Sequence, residues 1–246
     1  MAPDALFADP RLAPLYDLVE GDRDDLDAYV ALADELGAQS VLDVGCGTGE
    51  LACRFAARGR MVTAVDPAAA SLRVAAAKPH AGSVRWIESD ATVLPPLDVD
   101  LATMTGNVAQ VFVDDDDWTA TLRGIGGALR PGGHLVFETR DPRRRAWEEW
   151  TPDRTRSTVR FDGHDVETWC DVLRVKMGAD GGVVTFRWTY VVDDETLTSD
   201  STLRFRSRET IDASLAANGF DVLEVRDAPD RPGKEFVFVA RRRLDR

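Results

Sequence analysis

The run Asp43-Val44-Gly45-Cys46-Gly47-Thr48-Gly49 sets three glycines on alternate positions. Val41 and Leu42 lead into it as an apolar stretch, and Leu51, Ala52, Phe55 and Ala56 follow at helical spacing, so the order reads strand, tight turn, helix. Glycine suits such a turn because a Cβ would hold a ligand off the strand end and because the backbone there can require positive φ. The chemistry on offer is the cradling of a nucleotide or nucleoside. A dinucleotide cradle reads G-x-G-x-x-G, whereas here the third glycine comes one residue early. The lysine of a P-loop is absent from the run, and Glu50 opens the helix, where a carboxylate disfavours a ligand phosphate. A ligand without phosphate is the expected occupant.

Further acids follow at intervals. Asp66 closes the apolar run 61–65 about twenty residues past Gly45, where a carboxylate can accept both hydroxyls of a ribose. It could also cap a helix with Pro67 in first position. Asp90 follows the run 84–88 and can accept from an exocyclic amine of adenine, while the N–H of Ala91 meets a ring nitrogen. After the run 99–104 comes Thr105-Gly106-Asn107-Val108-Ala109-Gln110. Asn107 and Gln110 could position a small polar substrate, and Asn107 could equally supply a left-handed turn. Glu138 and Arg140, two apart near the end of the run 134–139, could bind an amine or carboxylate of a substrate or pair with each other. His134 opens that strand at the end away from ligands. His164 lies in a later segment placed to cover a substrate, and joins Glu138 and Arg140 as a candidate catalytic group. Cys46 reads as a small residue filling a tight loop; with Cys53 and Cys170 it has no metal-ligand spacing, and no metal site is expected.

The elements that must hold these residues can be read from period and punctuation. Leu26, Tyr29, Val30, Ala33 and Leu36 recur at helical spacing between Asp22, a candidate N-cap, and Gly37, a candidate C-cap. Residues 68–78 form a small-residue helix. The acidic run Asp114 to Asp117 leads into Trp118, Leu122, Ile125 and Leu129, a helix with acids at its positive end. Arg130-Pro131-Gly132-Gly133 then makes a turn into the 134–139 strand. Beyond Asp141 the pattern changes to Val, Thr, Trp, Phe and Tyr in runs 166–177, 183–192 and 196–205, broken by Ala179-Asp180-Gly181-Gly182 and Asp193-Asp194-Glu195. A meander of three or more antiparallel strands is expected there. Trp147, Trp150, Trp169 and Trp188 gather in or beside it, as core against the main sheet, as walls of an acceptor pocket or as a dimer contact. Ser207 caps a helix over 209–217, Asn218-Gly219 closes it, and 220–225 with 236–240 make a terminal antiparallel pair.

With 246 residues and 44% hydrophobic content the chain can bury one sizeable core. A net charge of −13 disfavours a nucleic-acid partner, whose affinity would come from Lys and Arg on phosphates. The clusters Arg143-Arg144-Arg145 and Arg241-Arg242-Arg243 read as a solvated turn and a C-terminal tail. Three cysteines without pairing pattern suggest a reducing, cytoplasmic setting. The start, Met1-Ala2-Pro3-Asp4, has no basic region followed by an apolar stretch, and no run approaches a membrane span. Neither export nor membrane partnership is expected.

The glycine run, the acid after the second strand, Asp90-Ala91, Leu129-x-Pro-Gly-Gly and the closing hairpin together resemble the class I S-adenosylmethionine-dependent methyltransferases, over roughly residues 10–140 and 205–242. The stretch 105–110 resembles the Gly-Asn loop of glycine and sarcosine N-methyltransferases, and the inserted meander is similar to that of enzymes methylating antibiotic amino sugars. Ala68 departs from the family, which often has Ser after the ribose-binding acid. The resemblance implies an α/β, Rossmann-like, doubly wound seven-stranded sheet with an antiparallel terminal hairpin and the inserted meander. It divides the chain into a cofactor core over 1–140, an acceptor or dimerisation element over 141–206 and the rest of the core over 207–246. S-adenosylmethionine is the implied cofactor. By analogy Asp43, Gly45, Cys46, Gly47 and Gly49 meet its methionine half, Asp66 and Pro67 the ribose, Asp90 and Ala91 the adenine. Thr105 and Gly106 flank the reacting end, and Tyr16 closes over it. The implied reaction moves a methyl group to an amine of a small molecule, in a possible homodimer. An O-methyltransferase, a nucleoside-binding protein without transfer activity, and, less well matched, a nicotinamide oxidoreductase are the alternatives.

Overall fold

The computed structural model describes residues 2–193 and 195–244. Met1 of the N-terminal reading and Asp194 of the acidic turn lie outside the described residues. Three helices lead the chain: α1 (Ala5–Ala8), α2 (Ala13–Glu20) and α3 (Leu26–Glu35). The core then alternates β1 (Ser40–Val44), α4 (Glu50–Ala57), β2 (Met61–Asp66), α5 (Ala69–Ala76), β3 (Val84–Glu88), β4 (Val99–Met104), α6 (Asp115–Ala128) and β5 (Leu129–Arg140). The order in the sheet is β3, β2, β1, β4, β5, and these five run parallel. The chain steps outward on one side of β1, to β2 and β3, and then crosses back to place β4 and β5 on the other side. A crevice opens at that switch point, outside the carboxyl ends of the strands.

The sheet is buried on both faces, as parallel sheets must be. Leu42, Val44, Met104 and Phe137 meet Trp118, Leu122 and Ile125 of α6 on one face; Val41, Leu101 and Val136 meet α3 and α4 on the other. The acids Asp115, Asp116 and Asp117 sit in the first turn of α6, against its positive end. Gly124 of the same helix is a close approach, since a Cβ there would lie 1.9 Å from the Ala91 carbonyl oxygen.

After β5 a short helix α7 (Pro152–Thr155) precedes a second sheet of β6 (Ser157–Phe161), β7 (His164–Gly178), β8 (Gly181–Val192) and β9 (Glu195–Arg206), antiparallel throughout in that order. Its inner face packs on α1 and α2 through Val166, Tyr190, Leu6, Leu12 and Leu15. Trp147 is buried edge-on against Phe205, and the partly buried Trp150 packs edge-on against Phe186, so both indoles lie beneath this sheet. Then α8 (Arg208–Ala217) begins at Ser207, whose Oγ accepts from the Thr210 N–H at 3.2 Å. The closing strands β10 (Phe220–Asp227) and β11 (Glu235–Arg242) complete a seven-stranded sheet, β11 lying antiparallel between β5 and β10. Among the described residues no helix is long and apolar enough to cross a membrane.

Three local expectations are corrected. Asp22 does not cap α3, which starts four residues later at Leu26; Asp25, at its start, is instead held by a two-bond pair with Arg23 at 2.9 Å. Pro67 is not the first residue of a helix, because Asp66 Oδ1 takes the Ala68 N–H in a turn and α5 begins at Ala69. Residues 130–133 are a bulge within β5 rather than a turn before it. Val99 and Leu101 of β4 pair with Leu129 and His134, so four residues bow out opposite Asp100, with Gly132 at φ +79°.

Candidate active site

At the switch point a cavity of about 340 Å³ opens at the ends of β1, β2, β3 and β4, within the size range of small-molecule sites. Its floor is the turn after β1. Gly45, at φ +67°, donates its N–H to the Val65 carbonyl at 2.8 Å, and a Cβ there would strike Val108 at 2.6 Å. Gly47, at φ +52°, would meet nothing within 4 Å: its missing side chain is the open space of the cradle.

Two acids on this floor are held by the backbone or by a hydroxyl. Asp66 Oδ2 accepts from Gly47 N–H at 2.8 Å and Oδ1 from Ala68 N–H at 2.8 Å. Each oxygen keeps a further lone pair, the number a ribose diol needs. Burial pushes its carboxyl above the ordinary range despite these donors. Asp43 is buried deeper, accepts from Thr103 Oγ1 at 2.8 Å and is pushed up to about 7 by that burial. Asp90 differs. Thr92 donates its hydroxyl and its N–H to Oδ1, which holds this carboxyl below the usual range.

The roof comes from the N-terminal segment. The Tyr16 ring packs on Phe7 with centroids 5.4 Å apart, and its hydroxyl would lie 3.8 Å from a Cβ on Gly106, facing the loop after β4 across the cavity. Burial raises the phenol well above its ordinary value. Thr105 and Gly106 form the wall beneath it, and Val108, Val111 and Phe112 an apolar side. Pro67, Cys46 and Ala91 also line the space; burial pushes the Cys46 thiol up, away from nucleophilic reactivity. Arg23 lines the cavity as well and is absent from the expected set. The signal for it was a single cation among the acids of Asp22-Arg23-Asp24-Asp25.

Six expected site residues lie outside this lining. Gly49 serves packing: at φ +78°, a Cβ would strike Trp86 at 2.5 Å and Ala75 at 2.7 Å. Glu138 stands behind the wall, where Oε1 accepts from the N–H groups of Gly106 at 2.7 Å and Asn107 at 3.1 Å while Tyr29 donates its hydroxyl to Oε2. Burial, with Glu235 nearby, pushes its carboxyl up to about 7. Asn107 takes the left-handed conformation at φ +62° and donates to Glu235 at 3.2 Å. Gln110 accepts from Arg140 at 3.0 Å; Arg140 in turn faces Glu235 at 3.5 Å and covers the Trp150 ring at 5.3 Å. Glu138 and Arg140 share a face yet bond to different groups, because the buried Glu235, opposite Arg140 on β11, takes the arginine. His164 begins β7 at a turn, half exposed and paired with Asp193 at 2.9 Å.

The site thus offers two kinds of recognition. Carboxylates at strand ends suit hydroxyls, an amine or a cation, and Arg23 suits a carboxylate, with no phosphate-binding lysine in the lining among the described residues. The open cradle at Gly47 and the spare lone pairs of Asp66 fit the nucleoside of S-adenosylmethionine.

Residues 41–133 match the family model described as a methyltransferase domain. Over 114 residues the chain is 38% identical to an uncharacterised methyltransferase of Mycobacterium tuberculosis, a match that covers 45% of this chain and 57% of that protein. The chain therefore spans little more than half the length of that relative. A solved S-adenosylmethionine-dependent methyltransferase from Clostridium acetobutylicum superposes with a TM-score of 0.73 at 18% identity, covering 95% of this chain and 98% of the other. An amino pentose methyltransferase from Micromonospora echinaspora, solved with S-adenosylmethionine bound, gives 0.66 at 24% identity over 90% and 92%. At such identities the solved structures share this chain's fold.

Proposed function

We propose, starting from a chain whose core is a class I S-adenosylmethionine-dependent methyltransferase domain, that it moves the methyl group of that cofactor to an amine nitrogen of a small molecule. The observation that carries the reading is the chemistry of the cavity. Asp43, Asp66, Asp90 and the glycine cradle converge on one roofed space, and no histidine or lysine lines it among the described residues. When bound, the cofactor supplies an electrophilic methyl on a sulfonium that is already a good leaving group. The chain's task is then to bind, align and exclude water.

Asp66 takes the ribose hydroxyls, and Asp90 with the Ala91 N–H takes the adenine. Asp43 and Arg23 receive the ammonium and carboxylate of the methionine half. Thr105 and Gly106 wall the reacting end, held from behind by Glu138, while Tyr16 and Phe7 cover it. Alignment of this kind can contribute ~7–11 kcal/mol. An alcohol would need to lose a proton during attack, whereas an amine attacks in its neutral form without a protein base. A lining without histidine or lysine, whose Asp43, Asp66 and Asp90 are taken up by the cofactor in this reading, supports nitrogen over oxygen. The Micromonospora enzyme, by name a methyltransferase of an amino pentose, supports amino sugars as the first acceptors to try, with amino acids next.

The test is release of S-adenosylhomocysteine when purified protein is given S-adenosylmethionine with amino sugars, amino acids or hydroxyl analogues of matched shape. Turnover with amines alone is expected. Turnover with the hydroxyl analogues alone makes it an O-methyltransferase, and cofactor binding without turnover on either set makes it a binding protein.

A further inference from the structure

The roof over the cavity is held differently on its two sides. The apolar faces of α1 and α2 are spent on the second sheet, where Leu6, Leu12 and Leu15 pack with Val166 and Tyr190. Neither of the two apolar clusters that cover the faces of the main sheet takes a residue from α1 or α2 among the described residues. Toward the core the roof is fastened by polar bonds. The Phe7 carbonyl accepts from Ser71 Oγ of α5 at 3.0 Å. The other tie is Asp17 of α2, next in the chain to Tyr16.

Both oxygens of Asp17 are engaged. Oδ1 accepts the hydroxyl of Thr48, the residue between Gly47 and Gly49 of the cradle, and Oδ2 takes the Lys78 ammonium at 2.7 Å. Lys78, just past α5, also reaches Glu50 Oε2 in the first turn of α4 at 3.0 Å. Thr48 is 2% exposed and the Lys78 side chain 16%, so these bonds are shielded from the water and salt that weaken open surface pairs. The turn that offers its glycines to a ligand thus grips the roof through the threonine set among them.

We infer that Asp17 is a positioning residue for the cofactor: by tying α2 to the glycine turn and to Lys78 it latches the roof, and it sets the rates at which the cofactor is taken up and its product released. This rests on the proposed placing of S-adenosylmethionine in the cavity.

Tyr16 and Phe7 cover that space, so each exchange of S-adenosylmethionine for S-adenosylhomocysteine requires the roof to lift. Lifting α2 off the turn breaks the Thr48 and Lys78 bonds and leaves its apolar contacts with the second sheet in place. Asp17 and Lys78 stand outside the cavity lining, so their substitution removes no contact to the cofactor. Every bond of the latch joins groups of the chain itself. Loosening it therefore eases opening to the same degree before and after the cofactor binds, and uptake and release quicken together while affinity holds. Removing a residue that only shapes the cavity would instead speed release alone and weaken binding.

The test is the exchange of S-adenosylhomocysteine on the immobilised full chain, followed by surface plasmon resonance. In Asp17→Ala the association and dissociation rate constants should both rise about tenfold or more, as befits the loss of hydrogen bonds to a charged group, while Kd stays within about threefold of wild type. Asp17→Asn keeps an oxygen for the Thr48 hydroxyl, and Lys78→Met leaves that bond intact. Each should give a smaller rise in both rates, and these two variants carry the test if Asp17→Ala does not fold. A wild type that does not bind S-adenosylhomocysteine overturns the cofactor site and the latch with it. Where wild type binds, variants that keep its two rates overturn the latch alone. So do variants that speed release only and weaken Kd.

Discussion

Two carboxylates of one sheet, Asp66 at the end of β2 and Glu138 on β5, have the same chemistry and nearly the same burial, yet do different work. Asp66 accepts one backbone N–H on each oxygen and keeps a lone pair on each for a ligand in the cavity. Glu138 accepts two N–H groups and a phenol, with the loop it holds between it and the cavity. Which acid binds and which one braces is decided by the partners the backbone brings, not by residue type or burial.

Substitution of each acid should therefore separate binding from stability. Glu138→Ala strands two backbone donors and the Tyr29 hydroxyl in a buried place, at ~1–3 kcal/mol for each group left unpaired. We expect a loss of about 3 kcal/mol or more, read from urea unfolding, with Glu138→Gln losing much less because an oxygen remains for the two N–H groups. Equal losses for the two variants would break the bracing role. Asp66→Ala should instead weaken S-adenosylhomocysteine binding by about a hundredfold or more, as expected for losing two hydrogen bonds to a charged group at ~1.5–3 kcal/mol each. Its melting temperature should fall less than that of Glu138→Ala.

A smaller effect follows from pH. Asp43 and Glu138, both pushed up to about 7, bind their protons more tightly folded than unfolded, where they titrate near their ordinary values of 3.8 and 4.5. Their contribution to stability is thus fully present below about pH 4 and is lost as pH rises through 7. Between pH 6 and 8 the melting temperature should fall, and Glu138→Gln should flatten the slope; a slope that the substitution leaves unchanged would assign the titration elsewhere. The smallest effect concerns His164. Half exposed and outside the cavity, it should be replaceable by Ala with turnover within about twofold of wild type, and a larger loss would return it to the site.

Much of the cavity floor was legible in the sequence because its residues are local. Gly45 and Gly47 are fixed by the turn that follows β1, and Asp66 and Asp90 by the ends of β2 and β3, so spacing along the chain places them in the crevice of a doubly wound sheet. Gly49 shows the limit of a motif, since its neighbour Trp86 comes from another strand. The wall was harder. Glu138, Arg140, Asn107 and Gln110 sit at positions that could face a substrate, but β11, arriving from the far end of the chain, brings Glu235 to take Arg140 and Asn107. Arg23 went unseen because a loop before the first strand gives no period to place it. The second sheet was visible as alternating β-branched and aromatic runs. Its bulge at Leu173, which decides which side chains share a face, leaves no mark in the sequence.

The central claim is that the acid-lined cavity holds an S-adenosyl nucleoside. Calorimetric titration of the purified chain with S-adenosylhomocysteine, with NAD as control, tests it most directly. One site per chain is expected for the first and no measurable heat from the second. Binding of NAD with no binding of S-adenosylhomocysteine would contradict it.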